Sequence, residues 1–432
     1  MADSTPAHPA ANRSRREFLK TSTLMVAGGA LAGTLGNPSR VHAAGGDTLK
    51  VGLIGCGGRG SGAAMQALGA DPNVKLTAVA DAFQDRLDNS LKNLKYLGGD
   101  KVDVADDRKF VGFDAYKQLL ATDVDVVLLT TPPHFRPIHF KAAIDAGKHV
   151  FAEKPVAVDA PGVRSVLATA EEAKKKSLSV VSGLCYRYDL PKRELVKRVR
   201  DGAIGDVRAM HVSYNTGTLW NFPRQPSWSD MEYQMRNWLY YTWLSGDFNV
   251  EQHVHSLDKA AWVMGDEPPL QATGLGGRQV RTGDEFGQAF DHMAVVYEYP
   301  GGVRLFSNCR QMAGCSTDVS DHLIGTQGTA EMMKATIDGA NPWTYQGPKP
   351  LMYDVEHQEL FAGIRSGNPI NNGLYMARST MLGIMGRMAC YTGQTLTWDQ
   401  CINSKEDLSP SNYGWGDAPK AVVAKPGLTQ FA

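Results

Sequence analysis

A glycine-rich run and an acidic residue about twenty positions later are spaced for binding a dinucleotide. The run reads Gly-Cys-Gly-Gly-Arg-Gly over residues 55–60 and follows the largely apolar stretch 49–54. Glycine permits a tight turn and a close approach of the backbone to a pyrophosphate, and the next helix offers free N–H groups at its N-terminus. The expected pyrophosphate contacts are Gly55, Gly57, Gly58, Arg59 and Gly60.

The acidic residue is Asp81, which ends a second apolar run, 74–80. A carboxylate at this position accepts hydrogen bonds from the ribose hydroxyls of a dinucleotide. It would repel a 2′-phosphate, so the sequence favours NAD, while Arg86 lies close enough to keep NADP as the second option. A glycine-rich turn without a ligand is the alternative, but glycines, helix, strand and acid in this order favour a nucleotide.

The elements that must position these residues alternate between strand and helix. Runs of apolar residues without polar alternation are typical of strands buried on both faces of a parallel sheet. The predicted strands are 49–54, 74–80, 124–129 and a short one within 147–155, and the predicted helices between them are 61–68, 113–120 and 138–146. This alternation indicates an α/β fold in which the glycine-rich run follows the first strand.

Further candidate residues follow the last two predicted strands. Open parallel sheets bind ligands at the carboxyl ends of their strands, where the chain leaves the sheet. The residues at these ends that we expect to contact the cofactor are Thr131, Pro132, His134, Glu153 and Lys154. They would extend the nucleotide site along one edge of the sheet.

Charge and cysteine content narrow the possible partners. The chain has 45 basic and 45 acidic residues, and this balance gives no reason to expect nucleic acid or an anionic membrane surface as a partner. The six cysteines are scattered and form no CxxC pair, so we expect no thiolate zinc site and no other metal. Cys309 and Cys315 are the closest pair should a disulfide form.

The N-terminus has the features of a twin-arginine export signal. Arg15 and Arg16 precede the apolar run 24–35, which is followed by a small-residue cleavage site at 41–43. The apolar run is too short to span a bilayer, so we expect no stable membrane anchor. This order predicts a mature protein that begins near Ala44 and lies in the periplasm or elsewhere outside the cytoplasm. A disordered or amphipathic N-terminus with a chance arginine pair is the alternative.

Seven short motifs together resemble the Gfo/Idh/MocA family, whose members include glucose/fructose oxidoreductase and inositol dehydrogenase. The motifs are the glycine loop at 55–60, Thr-Thr-Pro-Pro-His at 130–134, Gly-Lys-His-Val at 147–150, Glu-Lys-Pro at 153–155, Gly-Ala-Ile-Gly-Asp-Val at 202–207, His-Ser-Leu-Asp at 255–258 and Gly-Thr-Gln-Gly-Thr at 325–329. The resemblance implies an N-terminal Rossmann domain and a C-terminal α/β domain with a large, mostly antiparallel sheet. The expected division is a signal peptide at 1–43, a Rossmann domain at 44–180 and a substrate and oligomerisation domain at 181–432.

The resemblance also implies a role for three residues. The lysine of the Glu-Lys-Pro motif, here Lys154, lies in the family beside the nicotinamide and the substrate hydroxyl. An exposed lysine at a strand end is its alternative. Family members often carry an aspartate four residues before a histidine, and here Glu251 stands before His255. On one helix these two side chains would share a face, so that Glu251 could orient His255 as a general base.

Candidate substrate contacts lie in an aromatic-rich part of the chain. Flat aromatic faces suit the C–H faces of sugar rings; each aromatic residue alone is better explained by packing, while several together favour a sugar-binding cleft. The expected substrate contacts are Arg187, Tyr188, Asn215, Arg236, Trp238 and His253, with Arg187 supported by the family pattern. His253 stands where the family usually has glycine, and a metal ligand with His255 or a structural histidine are its alternatives.

These features predict an exported NAD(P)-dependent oxidoreductase for a sugar, glycoside or cyclic polyol, with a tightly bound cofactor. Free nicotinamide cofactor is not expected outside the cytoplasm, so the cofactor would be regenerated in place. One alternative is a redox-neutral, NAD-dependent glycosidase that oxidises, eliminates, hydrates and re-reduces. Another is a non-catalytic sugar-binding protein. The resemblance further implies a homo-oligomer, a dimer or a tetramer.

Overall fold

A computed structural model describes residues 47–432, and these residues form two β-sheets with helices packed around them. The expected signal peptide, 1–43, lies outside the described residues. Across residues 47–432, no helix combines the length and the apolar character that crossing a bilayer requires.

The first sheet has six parallel strands with helices between them, in the order β3-β2-β1-β4-β5-β6. Its strands are β1 Leu49–Ile54, β2 Val74–Asp81, β3 Lys109–Val111, β4 Val126–Leu129, β5 His149–Ala152 and β6 Val180–Ser182. The helices that follow the first five strands are α1 Gly58–Ala70, α2 Gln84–Gly98, α3 Ala115–Leu120, α4 Arg136–Asp145 and α5 Ala160–Lys175. The strand order runs away from the β1–β4 pair in both directions across the sheet. Sheets of this kind bind ligands at the carboxyl ends of the two strands where the order reverses, here β1 and β4.

The second sheet has nine strands and is mostly antiparallel, in the order β14-β13-β12-β11-β7-β10-β9-β8-β15. Its strands are β7 Val207–Thr216, β8 Gln271–Gly277, β9 His292–Glu298, β10 Arg304–Gln311, β11 Asp318–Gly325, β12 Gly328–Glu331, β13 Thr336–Gly339, β14 Trp343–Thr344 and β15 Leu396–Thr397. Only β7 and β10 pair in parallel. Their pairing places β7 in the interior of the sheet, although it comes first in the chain.

Helices of the second half connect the two sheets. They are α6 Leu190–Arg200, α7 Asp230–Arg236, α8 Thr242–Ser245, α9 Phe248–Glu251, α10 Val254–Val263, α11 Met352–Ser366, α12 Gly373–Thr392 and α13 Trp398–Ile402. Nearly every residue of α12 is buried, and this helix packs against both α5 and β8. Helix α11 returns to pack on α1, the helix that follows the glycine loop.

The architecture confirms the predicted α/β class, with a Rossmann-type parallel sheet and a second, mostly antiparallel sheet. The predicted first strand, 49–54, matches β1 at both ends. The domain boundary at 180 stays a prediction. The strand β6 spans that position, and α11 from the second half contacts the first half.

Candidate active site

The glycine loop connects β1 to α1 and lies where a nucleotide is expected to bind. Gly55 has a φ of +104°, and a Cβ there would come within 2.6 Å of the Thr131 backbone nitrogen. A Cβ at Gly60 would lie 1.9 Å from the Gly55 carbonyl oxygen, so this turn accepts only glycine. Gly57 and Gly58 face open space. The backbone of the loop is therefore bare on the side where a pyrophosphate would approach, at the N-terminus of α1.

A cavity of about 610 Å³ extends from this loop across the carboxyl ends of β1, β2 and β4. Its lining includes the loop glycines, Arg59, Asp81, Thr131 and Pro132, all of them among the expected cofactor contacts. Aromatic residues form much of the remaining wall, among them Phe83, Phe113, Tyr116, Phe135, Trp220, Phe222 and Trp238. The lining of bare backbone, one carboxylate and aromatic rings fits a dinucleotide.

Asp81 forms a hydrogen bond with the glycine loop and also lines the cavity. Its Oδ2 accepts a hydrogen bond of 2.6 Å from the Cys56 N–H, and its Oδ1 accepts one of 2.9 Å from the Phe83 N–H. Burial raises the pKa of Asp81 above its usual value, although both N–H groups favour the charged form. Each carboxylate oxygen can accept a further bond, so Asp81 remains able to bind ribose hydroxyls.

Lys154 lies at the other end of the same edge. In the sheet order β2-β1-β4-β5, the carboxyl ends carry Asp81, the glycine loop, Thr131 and then the Glu153-Lys154 pair. A ligand that runs along this edge would start at Asp81 and reach Lys154 with its far end.

Lys154 forms an ion pair with Glu251 from α9, which brings two predicted catalytic residues together. Its Nζ donates to the Glu251 backbone oxygen at 2.8 Å and to Glu251 Oε1 at 3.2 Å, and both side chains are partly exposed. Burial disfavours the ammonium, but the nearby Glu251 and Glu153 outweigh it, so the pKa of Lys154 lies above its ordinary value. At neutral pH Lys154 is therefore a hydrogen-bond donor.

His255 does not pair with Glu251, which corrects the prediction of a shared helix face. Helix α9 ends at Glu251 and α10 begins at Val254, so a turn separates the two residues. The Tyr186 ring meets the His255 ring edge-on at 5.4 Å, and His255 Nδ1 lacks a hydrogen-bond partner among the described residues. Burial and the cations Lys154, Lys259 and Arg59 hold the pKa of His255 well below its usual range. His255 is therefore a neutral imidazole.

Arg59 connects the loop to the Glu153-Lys154 pair. Its Nε donates to Glu153 Oε1, its Nη1 to Gln66 Oε1 at 2.7 Å, and its Nη2 to Glu356 Oε1 at 3.1 Å. Glu153 in turn accepts the Lys154 backbone N–H at 3.0 Å. Although Arg59 and Glu153 were predicted as cofactor contacts, these bonds direct their charges towards each other. The expected phosphate contacts are then backbone N–H groups.

Two of the predicted substrate contacts lie in packed surroundings. Arg187 is buried and pairs with Asp258 and Asp266, and the Arg187 guanidinium lies 4.0 Å from the Tyr375 ring centroid. Tyr188 is also buried, and its hydroxyl donates to Asn372 Oδ1 at 2.7 Å. These partners account for both residues as packing elements, because their polar groups are already satisfied.

Two further predicted substrate contacts, His253 and Asn215, have surroundings that do not suggest substrate binding. His253 is fully buried, and its Nε2 lies 2.6 Å from Ser307 Oγ. Asn215 follows Tyr214 on β7, and successive side chains of a strand point to opposite faces. Tyr214 lies on the face that packs near His253, with ring centroids 6.3 Å apart, and close enough to Lys154 to interact with its charge, so Asn215 on the opposite face points away from Lys154. Within residues 47–432, no group of three or more metal-binding side chains occurs.

Arg236 and Trp238 lie at the nucleotide end of the cavity instead of beside Lys154. Both line the wall near Asp81. The Arg236 guanidinium stacks over Phe83 at 4.2 Å and bonds both carboxylate oxygens of Asp85 on α2, at 3.1 and 3.2 Å. The segment that was expected to bind a sugar therefore closes over the expected adenosine position.

The predicted cofactor contact His134 is covered by Tyr413, which was not among the predicted site residues. Its Nε2 lies 2.8 Å from the Tyr413 hydroxyl in the C-terminal tail. Trp415 of the same tail packs on the cavity residues Phe83 and Phe113, with ring centroids 5.1 and 4.7 Å apart. A signal was present in the sequence, because two aromatic residues within a polar tail rich in glycine and serine are unusual for an exposed loop.

The fold and this site define a Rossmann-type, nucleotide-binding class of protein. Two models of one family match consecutive parts of the chain. An oxidoreductase family with an NAD-binding Rossmann fold, Gfo/Idh/MocA, matches residues 49–182, and the C-terminal domain of that family matches 193–331. Together they cover more than half of the chain, which belongs to the Gfo/Idh/MocA family.

Curated relatives are distant. A dTDP-3,4-didehydro-2,6-dideoxy-alpha-D-glucose 3-reductase from Actinomadura kijaniata is 28% identical over 43% of this chain and 49% of that protein. An inositol 2-dehydrogenase from Rhizobium meliloti is 27% identical over 51% of this chain and 56% of that protein. A glycosyl hydrolase family 109 protein from Shewanella pealeana is 26% identical over 53% and 50%. The chain spans about half the length of these relatives.

Solved structures share the fold at low sequence identity. The aldose-aldose oxidoreductase from Caulobacter crescentus has a TM-score of 0.63 and 20% identity, covering 81% of this chain and 99% of that chain. A 3-ketoreductase from Actinomadura kijaniata in complex with NADP has a TM-score of 0.61 and 18% identity, covering 79% and 98%. A protein from gentamicin A biosynthesis in complex with NAD has a TM-score of 0.61 and 17% identity, covering 81% of this chain and 96% of that chain.

Proposed function

We propose that the protein is an exported NAD(P)-dependent oxidoreductase that acts on a sugar, a glycoside or a cyclic polyol. The observation that carries this proposal is the order of groups along one sheet edge. That edge runs from Asp81 and a bare glycine loop to Lys154, which is paired with Glu251 and partly open to solvent. Relatives named as an inositol dehydrogenase and a sugar 3-reductase support the substrate class.

In this proposal, Lys154 and His255 have different roles towards the substrate hydroxyl group. The nicotinamide, when bound, takes or gives a hydride at a substrate carbon. Oxidation of an alcohol also requires an acceptor for the hydroxyl proton, and we assign this role to His255, whose Nδ1 lacks a hydrogen-bond partner among the described residues. The Lys154 ammonium, held by Glu251, donates a hydrogen bond to the same oxygen and stabilises the negative charge that develops there.

The cofactor is NAD in our proposal, with NADP as the second choice. The Asp81 carboxylate borders the cavity and would repel a 2′-phosphate. Arg86 also lines the cavity, with its guanidinium 5.3 Å from the Phe222 ring centroid, and gives NADP a potential partner. Because free nicotinamide cofactor is not expected outside the cytoplasm, we propose that the cofactor stays bound and is regenerated in place.

Export and assembly complete the proposal. The pair Arg15 and Arg16 supports export by the twin-arginine route, and lysine at both positions should keep a tagged precursor in the cytoplasm. The outer face of the second sheet exposes Leu275, Phe306 and Ile324, and these apolar side chains support a homo-oligomer, a dimer or a tetramer. Light scattering of the Phe306→Glu variant against the parent tests this assembly.

The deciding experiment identifies the nucleotide and follows its redox state. Purified mature protein is denatured and any released nucleotide is identified by mass spectrometry. The native protein is then mixed with myo-inositol, simple aldoses or nitrophenyl glycosides while the absorbance of reduced nicotinamide is recorded. We expect bound NAD, which a polyol or a sugar reduces.

The other outcomes are distinct. Release of nitrophenol without lasting reduction of the cofactor would replace the net oxidoreductase with a redox-neutral glycosidase. Sugar binding by a protein that neither contains nor takes up NAD or NADP would indicate a non-catalytic sugar-binding protein and overturn the proposal.

A further inference from the structure

The C-terminal tail packs behind the wall of the cavity at its nucleotide end. Two cavity residues, Phe83 after β2 and Phe113 after β3, lie on the Asp81 side of the glycine loop. Trp415 covers both rings, at 5.1 and 4.7 Å between centroids, and Tyr413 lies 6.3 Å from Phe113. The tail thus closes the outer side of the wall where the adenosine of a dinucleotide would lie.

Hydrogen bonds fix the tail at several points. Tyr413 bonds His134 after β4, and the Leu408 N–H donates to Asp159 Oδ2 at 3.0 Å. The tail also joins α7, since the Met231 N–H donates to the Gly416 oxygen at 2.9 Å. Gln234 on the same helix donates its Nε2 to the Pro419 oxygen at 2.8 Å.

Helix α7 carries this connection back to the first sheet. Its last residue, Arg236, stacks on Phe83 and bonds Asp85 at the start of α2. Phe83 is therefore held between Arg236 and Trp415, from two segments far apart in the chain. Neither Phe83 nor Phe113 can swing outward unless the tail or α7 moves.

We propose that residues 408–419 are part of the cofactor site and retain the adenosine end of the bound nucleotide through turnover. This inference rests on the proposed function, because it assigns a residence site to the cofactor named there. It gives a structural basis for a cofactor that is regenerated in place. The tail acts by holding the Phe83 and Phe113 wall and α7 closed, so its loss speeds nucleotide release.

The experiment compares two aromatic pairs with the same spacing in the mature protein. The test variant is Tyr413→Ser with Trp415→Ser. The control variant is Trp343→Ser with Tyr345→Ser, a pair on or beside β14 at the edge of the second sheet, with ring centroids 6.2 Å apart. Each protein is loaded with NADH and rapidly mixed with excess NAD, and the loss of bound-NADH fluorescence gives the release rate.

We expect release from the test variant to be about tenfold faster or more, because three ring contacts with Phe83 and Phe113 and the hydrogen bond between Tyr413 and His134 are lost. The control variant should release NADH at the parental rate. A folded test variant that keeps the parental rate would overturn the inference and leave the proposed function intact. A parent protein that takes up no nicotinamide nucleotide would overturn both.

A second measurement needs no substitution, so it covers a test variant that fails to fold. Hydrogen exchange of the parent protein is recorded with and without NAD. The amides of residues 413–416 should become at least several-fold more protected when NAD is bound, because the nucleotide holds the wall against the tail. Unchanged exchange in this segment, with increased protection in the glycine loop, would overturn the inference.

Discussion

The two ends of the candidate site are built in different ways. The nucleotide end takes its loop and its acid from one continuous stretch of the first sheet, and its walls are mainly aromatic. The reacting end unites Lys154 after β5, Glu251 at the end of α9 and His255 on α10, and its groups are charged or titratable. In the proposed function, cofactor binding and proton transfer therefore depend on different residues, and substitutions should separate them.

The largest expected effect is at the reacting end. Replacing Lys154 with Ala should lower turnover by roughly a thousandfold, because the donor to the substrate oxygen is lost. The nucleotide content of the purified protein should stay at the parental level. Steady-state kinetics and nucleotide analysis check both outcomes, with Lys141→Ala on the surface of α4 as the control. Turnover close to the parental value would remove Lys154 from the mechanism.

At the nucleotide end, we expect substitution to weaken cofactor binding instead of slowing turnover. The Asp81→Ala variant should bind NAD on the order of tenfold to a hundredfold more weakly, because the ribose hydroxyls and the loop N–H group of Cys56 lose their acceptor. NADP should lose much less affinity, since the repulsion of a 2′-phosphate disappears as well. Titration calorimetry with both nucleotides measures this, and Asp88→Ala on the exposed side of α2 is the matched control. An equal loss for both nucleotides would argue against Asp81 as the selecting residue.

A smaller effect concerns the charge of Lys154. The Glu251 carboxylate helps to raise the pKa of Lys154, so the Glu251→Gln variant should lose the ammonium at a lower pH. Activity that needs the ammonium falls as the pH rises through this pKa, and the alkaline limb of the kcat profile should move to lower pH. At neutral pH we expect roughly a tenfold lower kcat, because Lys154 loses the carboxylate that holds its ammonium in place. The control is Glu359→Gln, and an unmoved alkaline limb would contradict the assignment.

The smallest expected effect lies beneath the reacting end, at His357. This side chain is fully buried on Phe151 at 4.3 Å, and both ring nitrogens lack a hydrogen-bond partner among the described residues. Burial and Arg59 lower the pKa of His357 to about 3. The unfolded chain takes up a proton below about pH 6.5, so the free energy of unfolding falls as the pH drops from there towards the folded-state pKa.

Substitution tests this linkage. Between pH 7 and pH 5 the His357→Phe variant should lose about 1 to 2 kcal/mol less stability than the parent, because one proton no longer binds the unfolded chain. Urea unfolding at both pH values measures the difference. Replacing the exposed His322 with Phe is the control. The same loss in the His357 variant and the parent would mean that this histidine is already charged in the fold.

The sequence predicted the first sheet well because its signals are local. The buried run 49–54 forms β1 over the same residues, and Asp81 ends β2 where the ribose acid was expected. Helix α1 is longer than predicted, since it begins at Gly58 inside the glycine loop, where residue type gives no helix signal. The turn between α9 and α10 was missed because residue type gives no signal for it either. The spacing of Glu251 and His255 fits a helix that the backbone interrupts.

The amino-acid sequence alone predicts the parallel fold of the first half, the glycine loop, the position of Asp81 and the place of Lys154 at a strand end. Each depends on residues close together in the chain, whose spacing fixes strand, turn and helix. Three contacts become visible only in the folded chain: Glu251 pairs with Lys154, Arg236 stacks on Phe83, and Trp415 covers the cavity wall. These partners lie roughly a hundred or more residues apart, and such contacts follow from how the sheets and helices pack.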